Sequence, residues 1–297
     1  MGVTLSLASM LCFGTNILLT RYAMARMPVD SGFFVVLGVN VVAGLLLFGA
    51  QLELRAAPFV FQWKEAGYFA IGGVMGAFLG RRLLYEAVRL LGPARTSVFH
   101  SGVPVPTLLF AWILVGETLG WYELVLMALV LAGLWITQPP QRDPSLSRTD
   151  RAALRRGAFL GLLTIIGFGA SNGIRGLAMR SWDEAIFGAL LGAASAFVMQ
   201  TVTTRDWPRI VRGWREAPSS GYLLYTASGI ASMGGAIFLI SAMLHMEIAL
   251  AVLITHTTPL LIFPVSLFLY KNREGLTGRT LVGVGLVLFG ILLLALR

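Results

Sequence analysis

Charge is what this 297-residue chain is short of. Asp, Glu, Lys and Arg make up 12% of it, against about a quarter in an ordinary globular domain. That scarcity excludes a water-covered surface over most of the molecule. Cysteine is nearly missing too: Cys12 stands alone inside an apolar run, which rules out an intrachain disulfide and a thiolate metal cluster. Histidine occurs three times. There is no HExxH, GxSxG or GxxxxGK and no pair of aspartates within an apolar run, which argues against an intramembrane hydrolase and an ATP-driven pump. No cofactor, metal or enzymatic activity is expected. Neither Lys nor Arg precedes the first apolar run and no cleavage pattern follows it, so a signal peptide is not expected either.

What is there is apolar. Hydrophobic residues make up 57% of the chain and the mean hydropathy is +0.79, so the solvent of this protein is a lipid bilayer. The net charge of +9 would also suit a nucleic-acid binder, but the basic residues stand at the ends of apolar runs rather than along one wet stripe. No nucleic-acid partner is expected. Crossing ~30 Å of hydrocarbon takes about 20 apolar residues at the helical rise. Such runs occur at 3–21, 31–50, 67–91, 97–115 and 121–138, and again at 157–178, 185–203, 221–243, 249–270 and 277–296. A transmembrane barrel would need alternating polarity, which these runs lack. Their small residues, among them Gly72, Gly73, Gly76, Gly80, Gly234 and Gly235, are read as close-packing positions.

The second set of runs repeats the first. A shift of 155 residues sets Phe13-Gly14 on Phe168-Gly169, Leu84 on Leu239, Ala94 on Ala249 and Pro104 on Pro259. After two extra residues a shift of 157 sets Glu117 on Glu274 and Gly133 on Gly290. Two gapless shifts over the whole chain indicate duplication. Because five spans per copy is an odd number, the second copy enters the membrane from the opposite side. The expected fold is an all-α membrane protein of ten transmembrane helices in two inverted five-helix repeats, residues 1–138 and 157–297, joined by a polar linker, 139–156. Inverted repeats are typical of secondary transporters with a site near the bilayer midplane, and one such chain forms a path as a monomer.

Sixteen of the 23 basic residues lie on the linker side, among them Arg21, Arg26, Arg142, Arg148, Arg205, Arg209, Arg212, Arg215 and Lys271. Arg55, Lys64, Arg180 and Arg297 are on the other. The positive-inside rule then puts the linker in the cytoplasm and both termini outside. Between the seventh and eighth runs, Trp207, Ile210, Val211 and Trp214 recur at helical spacing with Arg205, Arg209, Arg212 and Arg215 opposite. That pattern predicts an interfacial helix on anionic lipid.

The run GRRLLYEAVRLLGPARTSVFHSGVPVP, the early Phe13-Gly14-Thr15-Asn16, and Gly116-Glu117 with Glu274 before a glycine-rich fifth helix resemble the drug/metabolite transporter superfamily, specifically its EamA type. The resemblance covers essentially the whole chain. It implies a permease for amino acids, nucleosides, sugars or other metabolites, and cytoplasmic termini, opposite to the charge count. Function is accordingly expected to be secondary active transport, with export of a small polar or amphoteric metabolite such as an amino acid by alternating access, the alternative being a membrane channel or structural membrane protein without carrier activity. The expected partners are that small-molecule cargo and the lipid bilayer, and the expected location is the cell (inner) membrane.

Polar side chains at membrane depth cost several kcal/mol unless they meet partners or a wet cavity, which makes each a site candidate. Arg81 and Arg82 fall near the centre of the third run, about 3 to 5 Å from the midplane at the helical rise. Arg82 is placed to pair with Glu86 four residues on, leaving Arg81 for an anionic group of the cargo. His100-Ser101 and Thr255-His256 each precede a repeat proline, Pro104 and Pro259, where a helix can bend beside a cavity. Both histidines are candidates for a proton relay or a cargo hydrogen bond. Asn16, Asn40 and Asn172 join the substrate-binding set, Asn16 and Asn172 as residues facing each other across the pseudo-twofold axis. Arg82, Glu86, Pro104, Pro259 and Arg175 are read as structural or gating. Glu117 and Glu274 are read as caps or interfacial pairs.

Overall fold

A computed structural model describes residues 1–91, 100–137, 148–258, 261 and 278–295 of the protein. Every regular element among them is a helix, because backbone groups in lipid find partners only within the segment. Helix α1 is Gly2–Met24, α2 Val29–Leu54 and α3 Trp63–Gly73, followed by a π-helical segment, Val74–Gly80, and by α4, Arg81–Leu91. Then come α5 (Pro104–Val115), α6 (Trp121–Thr137), α7 (Arg148–Ser181), α8 (Ala185–Thr203), α9 (Trp207–Glu216), α10 (Ser219–Ala242), α11 (Ile248–Thr255) and α12 (Gly278–Ala295). Five are long and apolar enough to cross a bilayer: α1, α2, α7 from Leu154 onward, α8 and α10; α5 and α6 are shorter apolar helices. Pro259, Glu274 and part of the linker lie outside the described residues.

Contacts fix the direction of each pair. Helix α1 runs antiparallel to α10, with Ser9 Oγ donating to the Gly235 carbonyl at 2.8 Å and the Asn16 amide to the Ser228 carbonyl at 2.8 Å. The α3–π–α4 segment runs antiparallel to α7: Ser181 donates to Glu65 at 3.2 Å and Ser171 to the Gly72 carbonyl at 2.6 Å, and Gly80 lies against Phe168. Beside α7 runs α5, parallel to it, with Thr107 at Gly169 and Phe110 at Gly173. Beside α1, also parallel, runs α11, where Thr255 reaches the Ser6 carbonyl (3.4 Å). Helices α2 and α8 are antiparallel, as are α6 and α12, while α2 runs with α10 and α3 with α8.

Lipid tails are as apolar as leucine, so close van der Waals contact rather than water expulsion holds such helices together. Gly73 demonstrates it: a Cβ there would fall on the Gly192 backbone, so α3 and α8 touch main chain to main chain. Gly116 has a different task. Its φ of 71° closes α5 in the left-handed conformation that only glycine adopts without strain.

The sequence places loop throughout 139–156, yet Arg148 onward is helical and α7 is 34 residues long. Ala152, Ala153, Leu154 and the arginines around them are strong helix formers, and they carry the helix beyond its apolar run. Helix α9 forms where the periodicity predicts it, capped by Asp206, whose carboxylate accepts from the Arg209 amide at 3.1 Å. Its apolar face, however, docks on protein. Phe34 of α2 lies 5.2 Å from Trp207 and 5.9 Å from Trp214 between ring centroids, and Trp214 Nε1 donates to the Ser31 carbonyl at 3.0 Å.

The opposite end of the bundle is sealed differently. Phe48, Phe59, Phe61, Trp182 and Phe187 form one aromatic cluster there. Beside it Arg55 pairs with buried Glu184 at 2.8 Å.

Candidate functional site

Two helix breaks bring the histidines together. The helix carrying His100 and Ser101 stops at a turn over Gly102-Val103, and α5 restarts at Pro104, which occupies the first helical position where its missing N–H costs nothing. Helix α11 ends at Thr255, so His256 sits just past its C-terminus, its Nδ1 2.9 Å from the Val252 carbonyl. The rings of His100 and His256 stand 5.0 Å apart, and Phe168 closes on His100 edge-on at 5.3 Å. Among the described residues His100 makes no hydrogen bond, and its Nδ1 is buried.

Close to His100 lies Arg81, and close to Arg81 lies Arg175, and neither cation has a counter-charge among the described residues. Arg81 makes no ion pair or hydrogen bond among the described residues; its guanidinium lies over the Phe33 ring at 5.5 Å. Arg175 has no partner there either, and its Nε is buried. The Arg175 side chain crosses the seam of α3, α7 and α8, where glycines leave room: a Cβ on Gly72 would stand 2.8 Å from its Cγ, and one on Gly192 3.3 Å from Nη2. The charge of Arg81 reaches both His100 and Arg175.

Phe33 is in the second turn of α2, and Arg82 donates at 3.3 Å to Thr203, the last residue of α8, with Phe78 beneath its guanidinium at 5.9 Å. Both heads lie toward the helix ends where α9 docks. The cause is the reach of the side chains, which carry the guanidinium heads away from their Cα atoms.

The asparagines are held by neighbouring helices. Asn16 donates to the Ser228 carbonyl and hydroxyl of α10 (2.8 and 2.9 Å). Asn172 reaches Thr107 of α5 at 3.4 Å. The two therefore engage different helices instead of facing each other. With its amide oriented to satisfy its surroundings, Asn40 donates to the carbonyls of Val36 (3.2 Å) and Gly229 (2.7 Å). Glu117 does what its position at a helix end implies, accepting from the Ile248 amide at 2.9 Å and from Arg180 at 2.8 Å.

Sequence reasoning misses Phe168 and Phe33, which read as ordinary core, and the Gln51–Arg55–Glu184 group. Gln51 donates to Glu184 at 3.3 Å beside the Arg55 pair, a contact between residues 133 apart that no local pattern announces.

Compared with known proteins, residues 1–138 match the model of the EamA-like transporter family. A solved structure described as "Crystal structure of protein" superposes with a TM-score of 0.75 over 99% of this chain and 98% of that one, at 16% identity. That likeness speaks for the fold alone. No curated protein matches the sequence. A multi-pass arrangement of apolar helices agrees with that match: over residues 1–138 the chain is similar to the EamA-like transporter family, within the drug/metabolite transporter superfamily.

Proposed function

We propose that this chain is a secondary active transporter of the cell (inner) membrane, an exporter moving a small polar or amphoteric metabolite such as an amino acid by alternating access. Ten spans in two inverted five-helix halves carry it, with the linker in the cytoplasm and both termini outside. One monomer forms one path. Exchange or a proton gradient drives it, since the sequence holds no nucleotide-binding motif.

Helix pairing supports the inverted arrangement. Helix α1 lies antiparallel on α10 as α3–π–α4 lies antiparallel on α7, and α11 accompanies α1 as α5 accompanies α7. The start of α11 meets the end of α5 through Glu117, while His256 beyond the end of α11 meets His100 before the start of α5. Those two are therefore opposed, and so are α1 and α7, the first helices of each half.

The observation that carries the reading is the His100–His256 pair at two helix breaks, one from each half, with Arg81 near His100, Arg175 near Arg81, and neither arginine paired with a counter-charge among the described residues. Buried polar groups without partners are costly, and a bound cargo offsets that cost. Broken helices meeting at a shared site are the usual construction of secondary carriers.

Purified protein in proteoliposomes should give saturable counterflow of a metabolite. Single-channel current without saturable uptake overturns the reading in favour of a channel. Arg81→Ala should abolish flux while the protein stays monodisperse in detergent, and unimpaired flux removes Arg81 from the path.

A further inference from the structure

Arg175 reads as structural in the sequence, but its surroundings say otherwise. A guanidinium has five donors in a rigid fork and no way to discharge itself. Held inside a bundle, it normally finds a carboxylate or backbone carbonyls. Among the described residues Arg175 finds neither, and Nε is buried without an acceptor. Small residues rather than acids make its slot: Gly72 on one side and Gly192 on the other.

Its depth matters as well. Phe168, against His100, is at the middle of the apolar stretch Leu154–Ser181 of α7. Arg175 lies seven residues further toward the end sealed by Arg55–Glu184, about 10 Å at the helical rise. The guanidinium of Arg81 lies the other way, toward the α9 end, over Phe33. Arg81 thus lies close to both His100 and Arg175, and neither arginine is paired with an acidic side chain among the described residues.

We propose that Arg175 binds an oxyanion of the cargo, a carboxylate or a phosphate ester, within the slot of α3, α7 and α8, and that this transporter selects anionic metabolites. The inference rests on the transport reading and narrows it. Arg81 receives the same group at the α9 end, so the anion meets a cation on either side of the histidine pair. A bidentate guanidinium suits both carboxylate and phosphate geometry, and the test separates them.

Full-length protein in detergent is heated with L-amino acids against their carboxamides, and with sugar phosphates against the free sugars. One oxyanion-bearing set should raise Tm in a concentration-dependent way, while its counterparts that lack the oxyanion leave Tm unchanged. Loss of one charged hydrogen-bond partner in Arg175→Gln should weaken apparent affinity roughly tenfold to a hundredfold, with Arg175→Lys between the two. Wild-type protein stabilised equally by a compound and its counterpart that lacks the oxyanion overturns the proposal, even where the variants do not fold, and so does Arg175→Gln with unchanged affinity. The two readings fail separately. Saturable flux of neutral cargo keeps the transporter and sinks the anion site, whereas anion-dependent stabilisation without flux of any probe keeps the site and sinks the transporter.

Discussion

Glu117 holds two donors at once, the Ile248 amide at the start of α11 and Arg180 at the end of α7, and so ties three helices at one point. Burial pushes its carboxyl above the ordinary carboxylate range, against the pull of the Ile248 amide and of Arg180. The folded chain then holds that proton more tightly than the unfolded chain. Its contribution to stability is fully present below the unfolded carboxylate pKa and is lost as pH rises through the raised value. Glu117→Gln keeps an acceptor and cannot ionise, so its Tm relative to wild type should climb as pH rises from the ordinary carboxylate range through the raised value; a difference that does not move with pH contradicts this. Glu117→Ala, which orphans the Ile248 amide, should cost about 1 to 3 kcal/mol in denaturant unfolding. At this scale the sequence shows which residues are unusual and not whom they meet. Glu117 at a helix end is legible as a cap, but its partner is 131 positions away. Arg81 is legible as an oddity in an apolar run, yet its level in the bundle depends on where a flexible side chain points.

Elements are more legible than contacts, because an apolar run of the right length has few options in lipid. The runs at 3–21, 31–50, 157–178 and 185–203 each fall within a helix long enough to span, and the run at 221–243 overruns its helix, Ser219–Ala242, by one residue. The third run is harder to read, since nothing in its periodicity reveals a π-helical stretch between α3 and α4. Ser171, whose hydroxyl bonds the Gly72 carbonyl, lies where a Cβ on Gly76 would clash, and a widened turn fits that approach. Two glycines of α3 separate packing from propensity. Gly67→Ala, at a position open on all sides, should be neutral or gain up to about 1 kcal/mol from helix propensity. Gly73→Ala, against the Gly192 backbone, should lose about 1 to 3 kcal/mol through overpacking. Thermal midpoints of the two variants decide the matter, and equal midpoints contradict the contact between α3 and α8. The amphipathic pattern of α9 is likewise legible as a helix. What covers its tryptophans is not, because Phe34 lies on another helix 173 residues before Trp207.

For the whole molecule, the residue matches at shifts of 155 and 157 and the basic-residue asymmetry are properties of the full chain and can be counted without coordinates. The charge asymmetry predicts an outside C-terminus, so a C-terminal fusion to a reporter active only in the cytoplasm should stay silent; a strong signal reverses the orientation and with it the direction of transport. The proposed symmetry also has a mechanical limit. Were the halves interchangeable, the states open to either side would mirror each other and be equally populated in a symmetric bilayer. They are unequal. Helix α9 is wedged against Phe34 on one side only, with coil from Arg55 to Gln62 at the matching place in the first half. On the proposed alternating-access reading, a seesaw loaded on one arm only does not rest level, so even without any gradient one of the two openings would be favoured.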